Sequence, residues 1–140
     1  MPIPTVDQVN QLVAETYPAT VGDRFRCVDI GEAFAVARWS YDVSLDRPGG
    51  LISGSTQFTI CDSALWYLSF TVVGLQPMAV TSDLHITFLR PAMGGDLIAK
   101  AELIRAGRSR IFGEVRVWVE GAEERQVAHA TGSYAILKSR

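Results

Sequence analysis

The sequence predicts an α+β fold in which a curved antiparallel sheet wraps around one long central helix. Two observations carry this. The stretch from Thr56 to Val73 is apolar almost all round, with Phe58, Ile60, Leu65, Trp66, Leu68 and Phe70 on different faces. A helix without a polar face is buried or crosses a membrane, and Asp62 near its middle, flanked by strand signals, favours a helix enclosed by a sheet. After it come successive segments of period-two alternation separated by turn residues, and one helix followed by such a run is the α+β pattern.

The elements follow in order. Pro4 to Thr16 places Val6, Val9, Leu12 and Val13 at helical spacing, with Pro4 suited to the first turn and Tyr17-Pro18 ending the helix. Arg24–Glu32 and Ala33–Asp42 read as two strands joined at Gly31-Glu32. Asp46-Arg47-Pro48-Gly49-Gly50 is a loop delivering the chain into the central helix, expected over about residues 54–73 with Ser53 or Ser55 as N-cap. Met78–Leu89 is a strand with Val80, Leu84, Ile86 and Phe88 on one side and Thr81, Asp83, His85 and Thr87 on the other. Leu97–Arg105, Ile111–Glu120 and Arg125–Leu137 are the remaining strands, turned at Ala106–Ser109 and Gly121–Glu124.

Composition narrows the classes of function. A chain of 140 residues, 48% hydrophobic, is long enough for one domain (1–140) with a real core. Its net charge of −2, without a basic run, argues against nucleic acid as a partner. The first residues lack the basic and apolar regions of a signal peptide, no membrane association is expected, and Cys27 and Cys61 fit reduced, buried thiols of a cytoplasmic protein. The two histidines, His85 and His129, have no clustered Cys or Glu, so no metal site is expected. His85 reads as a surface or subunit contact and His129 as structural. P-loop, dinucleotide and G-x-S-x-G signatures are all missing.

Asp62 is the only charged residue between Arg47 and Asp83, and an isolated carboxylate in an apolar helix is costly unless paired or used. It reads as a general base or a nucleophile, or otherwise as a buried group bonded to backbone or to Ser69. The start of the same helix presents free N–H groups suited to an oxyanion, and Gly54 there has no side chain to obstruct a substrate. Asp62 lies eight residues beyond Gly54, roughly 12 Å along the axis. One helix therefore cannot bring both groups to one carbonyl. Two antiparallel copies can, which makes a homodimer a requirement of the chemistry.

The order of motifs resembles the hotdog fold, and within it the phenylacetate-pathway (PaaI-type) acyl-CoA thioesterases, akin to 4-hydroxybenzoyl-CoA thioesterases. The resemblance covers about Arg47 to Leu137. Gly54 and Ser55 match the glycines of the family's His-Gly-Gly, Asp62 its catalytic carboxylate and Thr81 its hydroxyl residue on the next strand. Phe88-Leu89-Arg90-Pro91-Ala92 matches a characteristic turn, and Gly107-Arg108 a basic turn. Ser53 stands where the family has His, and Arg47 where it has Asn.

The resemblance implies hydrolysis of an acyl- or aryl-CoA thioester, with no cofactor beyond the CoA substrate itself. Asp62, Gly54 and Thr81 would be the catalytic groups. Arg47 and Ser53 would shape the acyl end, with Ser55 among the substrate-binding residues. Arg90, Arg108 and Arg110 would grip the CoA phosphates, the Gly107-Arg108-Ser109 turn being the best placed, or else are ordinary surface arginines in turns. Phe58, Leu65, Trp66 and Tyr67 suggest an apolar or aromatic acyl pocket, and fit equally well as core residues of a buried helix. Dimers joined through sheet edges, paired further into tetramers, are implied as well. A hotdog protein that binds acyl-CoA without cleaving it is the alternative; a hotdog hydratase lacks the histidine it would need.

Overall fold

The computed structural model describes residues 2–17 and 24–136. In it, helix α1 (Val6–Thr16) is followed by strands β1 (Phe25–Gly31) and β2 (Phe34–Trp39), a short 3-10 turn (Val43–Leu45), and helix α2 (Gly54–Val73). Strands β3 (Val80–Phe88), β4 (Leu97–Ala106), β5 (Arg110–Val119) and β6 (Ala128–Ala135) complete one antiparallel six-stranded sheet, ordered β1-β2-β4-β5-β6-β3. This is the hotdog arrangement.

The alternation on β5 explains why the sheet grips the helix. Ile111, Val115 and Val117 face inward and are wholly buried, as are Ala99 and Ala101 on β4 and Ala128 on β6. The small residues let α2 lie close. Gly113 and Gly132 pair across β5 and β6, and a Cβ on either would come within 2.9 Å of Leu65. These two glycines form the seat of the helix. Ser53 caps α2, its Oγ accepting from the Thr56 N–H at 3.1 Å, and Gly74 ends it at φ 77.

Several boundaries differ from the sequence reading. Helix α1 begins at Val6 rather than Pro4, because Thr5 caps it in a reciprocal capping box with Gln8. The first hairpin turns at Glu32-Ala33, with Ala33 at φ 65. Gly31 serves instead to lie beneath the Phe34 ring, which an added Cβ would meet at 2.3 Å. The stretch 121–127 remains turn, so the last strand begins at Ala128 rather than Arg125. Pro18 and Leu137 lie outside the described residues.

The largest correction concerns β3. Thr81 pairs with Tyr134 and Asp83 with Ser133, so a bulge at Ser82 interrupts the alternation. Thr81 thereby joins Leu84 and Ile86 on the helix side instead of sharing a face with His85 and Thr87.

The sheet's two edges are treated differently. At the β1 edge, Asn10 of α1 donates its amide to the Cys27 carbonyl at 2.8 Å and accepts the Cys27 N–H at 2.9 Å. A side chain thus completes the ladder where β1 bulges between Cys27 and Asp29. Among the described residues strand β3 has no such cover, and Val80 and Phe88 on it are each about half exposed, at 50% and 51%. The central helix is also less enclosed than its composition suggests: Phe58 is exposed, and Thr59, Asp62, Ser63 and Trp66 are half-buried along one stripe. Among the described residues no helix is long and apolar enough to cross a membrane.

Candidate active site

That open stripe of α2 carries Asp62. Its Oδ1 accepts two hydrogen bonds, from Thr81 Oγ1 at 2.6 Å and from the Tyr134 hydroxyl at 2.6 Å. The same phenol lies 2.9 Å from the Asp62 backbone carbonyl. Among the described residues Oδ2 has no protein partner. Ser69 donates instead to the Trp66 carbonyl at 2.5 Å, so the purely structural pairing with Asp62 that its spacing allowed does not form.

Asp62 stands at the side of a cavity of about 260 Å³ between α2, α1 and β3. Tyr17, Phe25, Trp66, Tyr67 and Val80 give it an aromatic and apolar wall. Of the four residues expected to shape an acyl pocket, Trp66 and Tyr67 line it, whereas Leu65 is buried in the core and Phe58 points outward. Burial, above all, holds the Tyr67 and Tyr134 phenols protonated well above the usual tyrosine range. For Tyr134 the neighbouring Asp62 charge adds to that effect. Tyr134 therefore remains a donor to Asp62.

The remaining candidates divide between two ends of the protomer. At the start of α2, Ser53 Oγ is engaged as the cap and lies 3.0 Å from both Ser55 Oγ and Thr56 Oγ1. Among the described residues the N–H groups of Gly54 and Ser55 have no protein acceptor, as the first turn of a helix leads one to expect. Arg47 is exposed in the loop just before, its backbone bonded to Leu51 at 2.8 Å. That loop is tied to the Phe88–Ala92 turn through the Ile52 N–H and the Ala92 carbonyl at 2.9 Å. Exposed Arg90 belongs to this end, as does Phe88, whose ring would lie 3.1 Å from a Cβ at Gly54.

Asp62 and Thr81 belong to the other end. There Val80 and Arg110 both pair with Ala135, which brings the β4–β5 turn within two strands, or roughly 10 Å, of the start of β3. Gly107, Arg108, Ser109 and Arg110 border a hollow at this turn together with Arg105 and Phe112. Arg90 is not with them: Val80 and Phe88 stand eight residues apart on β3, roughly 26 Å.

Two residues escaped the sequence reading. Arg105 adds a third arginine to the basic turn. Tyr134 was hidden in an ordinary strand pattern, although its inward face offered a signal: Ala128, Ala130 and Gly132 precede it on that face. A large residue after three small ones reaches beyond the seat of the helix. The histidines stand apart from the site, His85 exposed on β3 and His129 bonded to Glu114 at 2.9 Å. Asp96, in the Gly-Asp pair before β4, anchors the end of β2 by accepting from Arg38 Nε at 2.9 Å and the Tyr41 N–H at 2.7 Å.

Comparison with known proteins agrees with this fold. A protein of Saccharolobus solfataricus named as an esterase is 23% identical over 138 residues, covering 98% of this chain and 89% of its own length. The crystal structure of a protein from Silicibacter sp. TM1040, described as a thioesterase, superposes with a TM-score of 0.87 at 26% identity, over 99% of this chain and 95% of that one. The Escherichia coli PaaI protein from the phenylacetic acid degradation operon superposes with a TM-score of 0.80 at 20% identity, over 96% and 94%. The family model of the thioesterase superfamily matches residues 49–125, from the glycine loop through α2 to the end of β5, and the chain belongs to that superfamily.

Proposed function

We propose that the protein hydrolyses an acyl- or aryl-CoA thioester to the free acid and CoA, in active sites shared between two copies of the chain. The observation that carries this reading is the Asp62 carboxylate beside an aromatic-walled cavity, with Oδ1 held by two donors and Oδ2 without a partner among the described residues. Acting as base, Oδ2 takes a proton from water as the oxygen attacks the thioester carbon. Acting as nucleophile, the same oxygen attacks directly and water then cleaves the anhydride. On either route the carbonyl oxygen becomes an oxyanion, and the unpartnered Gly54 N–H at the start of α2 is suited to hold it.

The division of the site supports a dimer through β3. If two β3 strands pair antiparallel about a two-fold near Leu84, Val80 of one copy meets Phe88 of the other. The end bearing Gly54, Arg47 and Arg90 then faces the partner's end bearing Asp62, Thr81 and the basic turn. The open β3 edge, the apolar Val80 and Phe88, and the Asn10 block on β1 favour this edge over the other.

The arginines of the basic turn suit the CoA phosphates, and Arg47 and Arg90 are free to meet an anionic group of the substrate. A cavity of about 150 Å³ accommodates benzene, so the 260 Å³ here suits a ring-bearing or medium-length acyl group. The two buried, reduced thiols are in keeping with a cytosolic location.

Release of free thiol from a panel of short-chain, long-chain and aromatic CoA thioesters tests the reading. Asp62→Asn should reduce turnover of the best substrate by about a hundredfold or more. A folded wild type that binds these esters without cleaving any would favour an acyl-CoA-binding protein, the reading suggested by Ser53 and Arg47 in place of His and Asn. Turnover that survives Asp62→Asn would place the chemistry elsewhere.

A further inference from the structure

We infer that Tyr134 is a positioning residue for the reaction: together with Thr81 it fastens one carboxylate oxygen of Asp62 and thereby fixes the other as the reacting atom. This rests on the assignment of Asp62 as the catalytic carboxylate.

The geometry is specific. Tyr134 and Thr81 are direct partners in the β3–β6 ladder, so the two donors stand on a rigid pair rather than on loops. Both lie 2.6 Å from the same oxygen, Oδ1. The Tyr134 hydroxyl is also 2.9 Å from the Asp62 carbonyl. With one proton, the phenol bridges the side chain and the backbone of a single residue, which holds the Asp62 torsions relative to the axis of α2. Tyr134 is 4% exposed and belongs to the core, so it does not swing with the substrate.

The β3 bulge completes the device. Without the extra residue at Ser82, Thr81 would point away from the helix. With it, two hydroxyls converge on Oδ1, and among the described residues Oδ2 has no donor. Restricting a carboxylate in this way reduces the ordering required to reach the transition state, and a misplacement of about 1 Å can cost on the order of a hundredfold in rate.

A buried tyrosine needs a partner for its hydroxyl in any case, so the experiment must separate positioning from packing. Tyr134→Phe keeps the ring and removes only the donor. After circular dichroism and thermal melting have verified its fold, kcat and KM are measured on the best thioester. We expect kcat to fall roughly ten- to a hundredfold with KM unchanged. We also expect Tyr134→Phe to have no further effect in an Asp62→Asn background, because the phenol acts only through that carboxylate.

An unchanged kcat in folded Tyr134→Phe, a rise in KM alone, or an equal loss in the Asp62→Asn background would each overturn the inference. Should Tyr134→Phe not fold, 3-fluorotyrosine at position 134 keeps the shape and alters only the acidity of the phenol. A change in kcat at constant KM supports the inference, and no change overturns it. Full turnover in Asp62→Asn alone would instead defeat the catalytic assignment on which the inference rests, an outcome distinct from all of these.

Discussion

The role of the Gly54 N–H can be tested without disturbing the helix, because proline deletes a backbone donor where a helix tolerates it best. Gly54 is the first residue of α2, the position at which proline is favoured. The preceding Ser53 has φ −64 and ψ 152, the extended conformation required before proline. Gly54→Pro should therefore fold. The added Cβ would meet the tip of the Phe88 ring at 3.1 Å, so the ring must give by a few tenths of an ångström in either variant. Gly54→Ala introduces the same Cβ while keeping the N–H, so the ratio between the two variants isolates the donor. Losing one oxyanion donor costs roughly a hundred- to a thousandfold in kcat, or about 2.7–4 kcal/mol. We expect that loss in thioester turnover by Gly54→Pro relative to Gly54→Ala, at similar melting temperatures. Equal activity in two folded variants would refute the oxyanion role.

Three further predictions concern the scaffold. Gly132→Ala would press a methyl group 2.8 Å from the Asp83 carbonyl and 2.9 Å from Leu65 and Leu84; because the carbonyl is backbone and cannot yield, urea unfolding should show a loss of about 1–3 kcal/mol. Burial, above all, raises the Cys27 and Cys61 thiols to about 12. Both should resist a thiol-specific disulfide reagent at pH 8 in the folded protein and react on unfolding. An unfolded chain ionises these thiols at the ordinary value of 9.0, so their contribution to stability is complete below that pH and is lost as pH rises towards 12. Denaturant midpoints measured across that range should fall with increasing pH, and rapid labelling of the native protein would contradict the burial.

Much of the fold was legible because periodicity reports burial directly. The inward row of β5 and the all-round apolar α2 were recognisable from spacing alone. Local chemistry that competes with periodicity was not. A bulge leaves no compositional mark in Val80-Thr81-Ser82-Asp83, so the face of Thr81 was misassigned even though the residue itself was singled out. Gly31 could be recognised as special, but not for its reason, since a glycine beneath a cross-strand ring and a glycine in a turn look alike in one dimension.

Within the site, Asp62 stood out because a lone charge in an apolar helix demands an explanation, and the Gly54 N–H followed from the direction of that helix. Tyr134 lies 72 residues from Asp62, and no local pattern links two residues so far apart. The separation of Arg90 from the basic turn depends on strand order, which spacing does not reveal.

Subunit complementation tests most directly whether Asp62 of one copy works with Gly54 of the other. Asp62→Asn and Gly54→Pro chains carrying different tags are co-expressed, and the hybrid dimer is isolated through both tags. In the hybrid, one site carries both defects and the other carries neither. Its turnover per dimer should be about half that of wild type, and an unsorted random mixture should give about a quarter, although each parent is nearly inactive. If the hybrid dimer is no more active than its parents, Asp62 and Gly54 do not meet across the two-fold, and the shared active site is wrong.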